Sequence, residues 1–514
     1  MPQSEYTDLQ KRSKRIAANT LMLFARMLII TFVNLYTVRW VLKGLGLEDY
    51  GIYNAIAGVV TTSTCLSSVL ALSTQRFYSF AMGQNDSVQL KKIFSVSLNI
   101  TVLLAAVLFV GFEFMGPWFI QSQLSIPAIR LTASLTIFHF SLVAFICALV
   151  QIPFIGAVFA NEDMGIYAVI STADCIMKLV IALLVSQSPT DHLITYGAAL
   201  MAEAILVLAS YIIIARKKYP ECSYVRVKEK GLYRQLTSFS GWTLYGTVAS
   251  MGMTQGSIIL LNIFFGPLVN AAFNIANQVY NALNTLANSI CVPMRPAIIK
   301  AYSQQEEKYM NSLFYASNKA ILYLMIIVAV PLTFEAETIL SFWLGKCSQE
   351  MVLFTRLYML FTVIMSLHNP ITTIIQASGS IRRYTLFVES VTILNIPACW
   401  LLFKLGLPSW SLFATMISLC ILAHIMRLYH LRRICPAFTY SGYATTFLLP
   451  GILITAIAAL VGTGICRVAE AGILRLALHF TLLPLATIVL IYLVGINRQE
   501  KQTIVQIIRK KINR

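Results

Sequence analysis

The stretch FARMLIITFVNLYTVRW, residues 24–40, decides the class of fold. It is apolar enough to lie in a lipid bilayer, yet it contains Arg26 and Arg39, with Asn34 between them. A guanidinium at the centre of the hydrocarbon core costs at least ~2.5 kcal/mol, so a charged residue inside a membrane span points to function. Arg26 is therefore the first candidate for a site, whereas Arg39, near the outer end beside Trp40, is predicted to be an interfacial anchor.

The rest of the chain has the same apolar character. Of its 514 residues, 58% are hydrophobic and only 12% are charged, whereas about a quarter of the residues of a soluble protein are charged. Apolar runs of about 20 residues, each able to cross a hydrocarbon core of ~30 Å, recur from end to end. We predict about fourteen spans: 20–42, 52–72, 93–115, 128–152, 166–186, 194–215, 238–262, 268–292, 313–334, 352–375, 384–403, 409–430, 444–466 and 473–495. The predicted fold is an all-α integral membrane protein.

The net charge of +18 reflects topology and not nucleic-acid binding. With a cytoplasmic N-terminus, most lysines and arginines outside the spans fall in cytoplasmic connections or in the two termini. The opposite side keeps Lys43, Arg130, Lys346, Lys404, Arg467 and Arg475. The positive-inside rule therefore predicts an inner-membrane protein with both termini in the cytoplasm. The first run is too long for a cleavable signal peptide and is expected to stay as a helix.

A basic connection near the middle of the chain suggests two halves. ARKKYPECSYVRVKEKGLYRQ, residues 215–235, is the longest connection and is predicted to be cytoplasmic. The predicted division is an N-terminal lobe of helices 1–6 at 1–215, a basic linker at 216–237, a C-terminal lobe of helices 7–12 at 238–433, two appended helices at 434–497 and a basic cytoplasmic tail at 498–514.

A weak internal repeat supports the two halves. LGLEDYGIYN (45–54) aligns with FGPLVNAAFN (265–274), which puts Gly46 on Gly266. The same offset puts Phe94 on Phe314 and Ser97 on Ser317 without a gap. Repeated halves around a site near the membrane midplane are a recurrent plan of transporters.

Two stretches carry a family resemblance. NTLMLFARMLIITFVNLYTVRWVLKGLGLEDYGIYNAIAGVV (19–60) and FFGPLVNAAFNIANQVYNALNTLANSICVPMRPAIIKAY (264–302) resemble the polysaccharide and O-antigen flippases. These form the lipid-linked oligosaccharide branch of the multidrug/oligosaccharidyl-lipid/polysaccharide (MOP) exporter superfamily. The most specific element is LG-x-x-DYG-x-Y after the first helix.

The resemblance implies two pseudo-symmetric six-helix lobes around a central cavity, with a C-terminal helix pair. It also implies movement of undecaprenyl-pyrophosphate-linked oligosaccharide, an O-antigen or capsule repeat unit, from the cytoplasmic to the periplasmic leaflet by alternating access. The expected partners are that lipid-linked substrate, the bilayer and polysaccharide-assembly proteins. Coupling to H⁺ or Na⁺ stays open.

Charged residues in the first half form the candidate substrate site. Arg26 lies about two turns inside the first helix, where it either lines a cavity or reaches back to the interface. Asp174 and Lys178, at i and i+4 in the fifth span, share a helix face and form either a structural clasp or part of the cavity. Glu203 in the sixth span is either a proton carrier or a partner of Lys178. Asn34 completes this group.

The second half of the chain contributes neutral polar side chains to the candidate substrate site. Asn274, Asn277 and Asn281 recur on one face of the eighth span, a face that would not be left toward lipid. This asparagine face either packs against another helix or forms a sugar-binding wall of the cavity. Glu389, just after Arg382 and Arg383, is expected to be an interfacial salt-bridge partner, and Lys319 is expected to reach toward headgroups.

Motifs for other chemistry are absent from the sequence. There is no phosphate-binding loop of the G-x-x-x-x-G-K-[ST] type, and the histidines and cysteines have no metal-ligand spacing. We therefore expect a transporter that is not an enzyme and holds no cofactor or metal. Two alternatives remain: a cation-coupled multidrug antiporter of the same superfamily, and a polytopic glycan polymerase or ligase.

A mechanism follows as a hypothesis. Arg26, supported by Lys178, would receive the pyrophosphate through charge-assisted hydrogen bonds, and the glycan would cross in a hydrated cavity.

Overall fold

The computed structural model describes residues 3–61, 64–122, 126–344, 347–470, 472–497 and 500–501. Nearly all of the predicted basic tail therefore lies outside the described residues. In the described part every regular element is helical. The helices are α1 (Gln3–Thr61), α2 (Thr64–Gly83), α3 (Ser87–Ser122), α4 (Leu131–Val150), α5 (Ile152–Ala160), α6 (Met164–Val185), α7 (His192–Lys218), α8 (Lys230–Ser303), α9 (Glu307–Phe334), α10 (Ala336–Leu344), α11 (Gln349–Ser366), α12 (His368–Ala377), α13 (Arg382–Tyr384), α14 (Ser390–Ile393), α15 (Asn395–Lys404), α16 (Ser411–Ile434), α17 (Tyr440–Tyr443), α18 (Leu449–Val468) and α19 (Ile473–Leu490).

The prediction of an all-helical, multi-pass membrane protein is confirmed. Twelve helices or helix pairs of the described chain are long and apolar enough to cross a bilayer. The predicted spans 52–72 and 268–292 are not among these twelve: the first contains residues 62 and 63, which lie outside the described residues, and the second is helical but less apolar. Polar residues such as Asn277 and Asn281 dilute the hydropathy of the second of them.

The chain forms two compact units. The first unit comprises the chain up to Thr247 together with residues 302–304, and the second comprises 248–301 and the chain from Gln305 onward. In the first unit, α1 packs on α6, and α4 packs on α7. Its core contains fully buried Ile137, Leu142 and Leu149 from α4.

The second unit has its own apolar core. Phe273, Phe354 and Phe413, from α8, α11 and α16, are fully buried and pack together. Three π-helical turns, at 385–389, 444–448 and 491–495, interrupt its later helices. Such turns occur mostly as single-turn bulges inside α-helices.

The two aligned glycines, Gly46 and Gly266, break their helices in the same way. Gly46 has φ 78° and ψ 171°, and Gly266 has φ 80° and ψ −177°. This region of conformational space is open essentially only to glycine. The same sequence offset relates Asn85 to Gln305, and both adopt a left-handed turn conformation, with φ 55° and φ 58°. The weak sequence repeat thus coincides with a repeat of unusual backbone geometry.

We expect Gly46→Ala to destabilise the protein by about 1–3 kcal/mol, because alanine is strained at this φ and ψ. No neighbouring atom lies within 4 Å of an added Cβ, so the cost would come from the backbone alone. Thermal unfolding of the purified protein in detergent measures the effect. Gly51→Ala is the matched control: its added Cβ also meets nothing within 4 Å, and alanine should be neutral or slightly stabilising there because the backbone is helical. Equal melting temperatures for the two variants would contradict the prediction.

Candidate functional site

Arg26 on α1 lies against neutral side chains of α6. Its Nε donates a hydrogen bond to Ser171 Oγ, and an Nη donates to the Tyr167 hydroxyl at 3.3 Å. The guanidinium also lies 4.5 Å from the centre of the Tyr167 ring, within the range of a cation–π contact. In the described chain no carboxylate forms an ion pair with Arg26. The charge of Asp174 on α6 acts on Arg26 only from beyond ion-pair distance, so among the described residues the guanidinium has no anion in direct contact.

Lys178 is shared by two carboxylates. Its ammonium lies 2.6 Å from Asp174 on the preceding turn of α6 and 3.9 Å from Glu203 on α7. The Glu203 side chain is only 4% exposed, and its Oε1 has no hydrogen-bond partner among the described residues. Both interpretations of Glu203, as a partner of Lys178 and as a proton carrier, therefore stay open. One carboxylate oxygen forms a distant ion pair with Lys178, and the other has no hydrogen-bond partner among the described residues.

Asn34 belongs to the same group. Its side-chain oxygen accepts a hydrogen bond from the Cys175 thiol at 3.4 Å, next to Asp174 on α6. The structure thus gathers Arg26, Asn34, Asp174, Lys178 and Glu203 on α1, α6 and α7 of the first unit, and we call these five residues the first-unit polar cluster. Helical spacing explains the grouping, because Ser171, Asp174 and Lys178 recur at three and four residues.

The asparagines of α8 lie in the second unit. Asn274 donates to the backbone oxygen of Asn270 at 3.0 Å, and Asn277 accepts from the Tyr358 hydroxyl at 3.0 Å. Asn281 is exposed. Asn277 thus bonds across to α11, as helix packing requires, whereas Asn274 bonds within α8, and no side-chain partner of Asn281 is found among the described residues.

A charged clasp near the first helix break was missed by sequence reasoning. Arg130 contacts Asp49 at 2.7 Å and also forms an ion pair with Asp191. Burial by itself would raise the pKa of Asp191, but the backbone N–H of Ile194 and the Arg130 guanidinium outweigh it and lower that pKa. Asp49 is the aspartate of the LG-x-x-DYG-x-Y element. A carboxylate three residues after a helix-breaking glycine was the available signal.

Charged pairs in the second unit are internal. The expectation that Glu389 is a salt-bridge partner is confirmed: Glu389 contacts Arg427 at 2.9 Å, and the two side chains are 12% and 7% exposed. Tyr384 donates to Glu389 at 2.8 Å and accepts from Arg427 at 3.0 Å. The expectation that Lys319 reaches toward headgroups is wrong, since its side chain is buried and its ammonium lies 2.9 Å from Glu500. These contacts bring together residues far apart in sequence, which no local pattern predicts.

A further cluster surrounds Glu335. Its carboxylate accepts from Arg475 at 2.7 Å and from Thr338 at 2.6 Å, and His479 lies 2.7 Å away. Burial would raise the pKa of Glu335, yet these partners outweigh it and lower the pKa. Both oxygens are satisfied, so the cluster is a clasp between α9 and α19 and not an open site.

Removing one member of the Glu389–Arg427 pair should be costly. Glu389→Leu leaves a buried guanidinium without a carboxylate, and we expect a loss of ~3–5 kcal/mol in the free energy of unfolding. The double variant Glu389→Leu/Arg427→Met should recover much of that loss, because neither charge remains to be solvated. Glu229→Leu is the control, since its pair with Lys92 is half-exposed and such pairs contribute less than ~1 kcal/mol. A double variant less stable than Glu389→Leu would show that the pair is not the source of the loss.

Comparison with known proteins identifies the fold. No family model matches the chain, and no curated protein matches it. Among solved structures, a MATE protein in the bent conformation superposes with a TM-score of 0.72 at 12% identity, over 82% of this chain and 95% of its own. A multidrug resistance MATE family transporter of the MOP superfamily, in an outward-facing conformation, gives 0.68 at 13% identity, over 82% and 96%.

A third structure of this fold has a different pocket. It is a MOP superfamily transporter from Pyrococcus furiosus, in which reverse polarity of the binding pocket is taken to suggest a different function. It gives a TM-score of 0.68 at 12% identity, over 82% of this chain and 96% of its own. The chain therefore has the fold of the MOP superfamily transporters.

Proposed function

We propose that this membrane protein moves an anionic lipid-linked oligosaccharide, of the undecaprenyl-pyrophosphate class, from the cytoplasmic to the periplasmic leaflet. The observation that carries the proposal is Arg26, a cation on a membrane helix whose hydrogen-bond partners, Ser171 and Tyr167, are neutral. A guanidinium in this state retains its attraction for phosphate oxygens, which it binds through short, charge-assisted hydrogen bonds.

The charges of the first-unit polar cluster favour an anion at Arg26. Asp174 and Glu203 lie within ion-pair distance of Lys178, and in the described chain neither lies within ion-pair distance of Arg26. Tyr167 contributes a ring face and a hydroxyl, and neither carries a negative charge. An incoming pyrophosphate would supply an anion in direct contact with Arg26, while its lipid tail stayed in the surrounding hydrocarbon.

Membrane potential would favour this direction of transport. Two negative charges moving outward in an inside-negative cell release on the order of 4–5 kcal/mol at 100 mV, at ~2.3 kcal/mol per charge. Such a process needs no coupling ion on energetic grounds. The orientation with cytoplasmic termini, predicted from the lysines and arginines, belongs to the same proposal.

Arg26→Ala should abolish surface polysaccharide in a bacterium that depends on this protein for its export, because no cation would remain for the pyrophosphate. Arg26→Lys should retain part of the activity, since lysine keeps the positive charge but cannot form the bidentate hydrogen bonds of a guanidinium. Surface glycan is measured by electrophoresis and protein level by immunoblot. Arg39→Ala is the control: that arginine lies on the same helix, is exposed and is predicted to anchor the outer end. Normal polysaccharide in Arg26→Ala cells would remove Arg26 from the mechanism.

A cation-coupled multidrug antiporter is the second candidate, and the solved neighbours fit it more closely than they fit a flippase. One of them is described as a multidrug resistance transporter. The observation that favours it is buried Glu203, whose Oε1 has no hydrogen-bond partner among the described residues and could take up and release a proton.

The two candidates differ in the effect of Glu203→Gln. If the chain is an antiporter, cells producing it should extrude a fluorescent cationic dye, and this variant should abolish extrusion because glutamine carries no exchangeable acid proton. If the chain is a flippase, dye extrusion should be absent from the start, and polysaccharide should depend on Arg26. Glu113→Gln is the matched control in the same unit, since Glu113 pairs with His139 at 3.2 Å and lies outside the cluster. Dye efflux that survives Glu203→Gln would eliminate the antiporter assignment for this carboxyl.

A further inference from the structure

The connection between α7 and α8, residues 219–229, is fastened along the first unit. Tyr219 donates its hydroxyl proton to Asp163 at 2.7 Å, and Glu221 accepts from Asn161 at 2.9 Å. Both partners belong to the turn between α5 and α6. Cys222 is buried, at 3% exposure. The start of the connection is therefore packed against the protein. We call residues 219–229 the strap.

The second half of the strap is fastened to α3. The backbone N–H of Val225 donates to Ser95 Oγ at 2.8 Å, and Glu229 forms an ion pair with Lys92 at 2.5 Å. Directly after the strap, the Tyr233 hydroxyl accepts from Asn99 at 2.7 Å. Three contacts spaced along one helix hold the connection in a defined course beside α3.

The level of these contacts places the strap at the membrane interface. Lys91 and Lys92 of α3 are followed directly by the apolar run that forms its span, and Ser95 and Asn99 lie within the first two turns of that run. Hydrocarbon begins where a span becomes apolar, and headgroups occupy the zone just outside it. A backbone tied to Ser95 therefore runs at headgroup depth and not in bulk water.

The outer surface of the strap and its flanks is basic. The acidic residues of the strap, Glu221 and Glu229, are engaged by Asn161 and Lys92. Six exposed cations have no ion-pair partner among the described residues: Arg216, Lys217, Arg226, Lys228, Lys230 and Arg234. Between them, Tyr224 and Val225 are 56% and 43% exposed. Cations beside a partly exposed aromatic ring are the composition of an interfacial anchor.

We propose that the strap, with its basic flanks, is a docking surface for the phosphate headgroups of anionic phospholipids. Its occupant is the anionic lipid of the leaflet in which it lies, which the predicted orientation makes the cytoplasmic one. The contacts to Ser95 and Lys92 hold the basic groups in the headgroup plane, so binding costs little ordering of the chain. This surface is separate from the first-unit polar cluster and does not depend on which substrate the protein carries.

The experiment uses the full chain in phosphatidylcholine vesicles that contain a minor fraction of photoactivatable phosphatidylglycerol. After illumination, mass spectrometry measures labelling of the peptide that contains residues 224–230, and an equal amount of photoactivatable phosphatidylcholine measures simple proximity. We expect the phosphatidylglycerol probe to label this peptide in preference to the phosphatidylcholine probe. High salt should weaken that preference, because screening shortens the reach of surface charges.

The test variant is Arg226→Gln/Lys228→Gln/Lys230→Gln. A cation near an anionic surface contributes about 1 kcal/mol, or roughly fivefold in binding, so the triple variant should lose at least about tenfold in headgroup preference. The matched control is Lys308→Gln/Arg383→Gln/Arg433→Gln, which removes the same charge from exposed positions of the second unit. Thermal unfolding should be unchanged in both.

Two results would overturn the proposal. Equal labelling by the two lipid probes would mean that the strap contacts the bilayer but does not bind anionic headgroups in preference to zwitterionic ones. An equal loss of preference in the test and control variants would assign the effect to net charge and not to this surface. Neither outcome bears on Arg26, so the docking surface and the proposed transport function fail independently.

Discussion

Hydrocarbon solvates ions poorly, and this constraint accounts for most of the polar architecture of the chain. In the second unit two buried carboxylates have several partners: Glu389 has Arg427 and Tyr384, and Glu335 has Arg475, Thr338 and His479. Each group replaces lost water with several hydrogen bonds, which is the condition for a buried ion to be tolerated. These clusters contribute to the fold and leave little charge for a ligand.

The first-unit polar cluster satisfies the same constraint less completely. Lys178 has two carboxylates within ion-pair distance, one close and one distant, whereas the direct contacts of Arg26 are to the Ser171 hydroxyl and to the hydroxyl and ring of Tyr167. The difference between compensated and uncompensated charge separates structural ion pairs from a candidate site more clearly than burial does. It is also the reason why Arg26, and not the more deeply buried Arg427, carries the proposed function.

The helix breaks show how the two halves are related. Gly46 and Gly266 share an extended, positive-φ conformation, and both lie inside long helices that continue after the break. Each break kinks a helix that continues beyond it, and in the second case Pro267 directly follows the glycine. Asp49, three residues after the first break, forms an ion pair with Arg130. In the first unit the backbone geometry that the two glycines share is thus accompanied by a charged clasp. The aligned sequences indicated this relation only weakly, because few residues coincide at the offset, whereas the backbone conformation at the two glycines is nearly the same.

The amino-acid sequence by itself determined that the chain is solvated by lipid, that it is helical, approximately where the spans lie, and that Asp174 and Lys178 share a helix face. Each of these follows from composition or from spacing along one helix, which are local properties of the chain. Only the tertiary structure decided that Arg26 meets Ser171 and Tyr167, that Glu203 shares Lys178, that Glu389 pairs with Arg427 and not with its sequence neighbours, and that the α7–α8 connection is fastened to α3. The physical reason is that a charge in a membrane is neutralised by whatever helix packs against it, and helix packing depends on the shapes of whole apolar faces and not on any short motif.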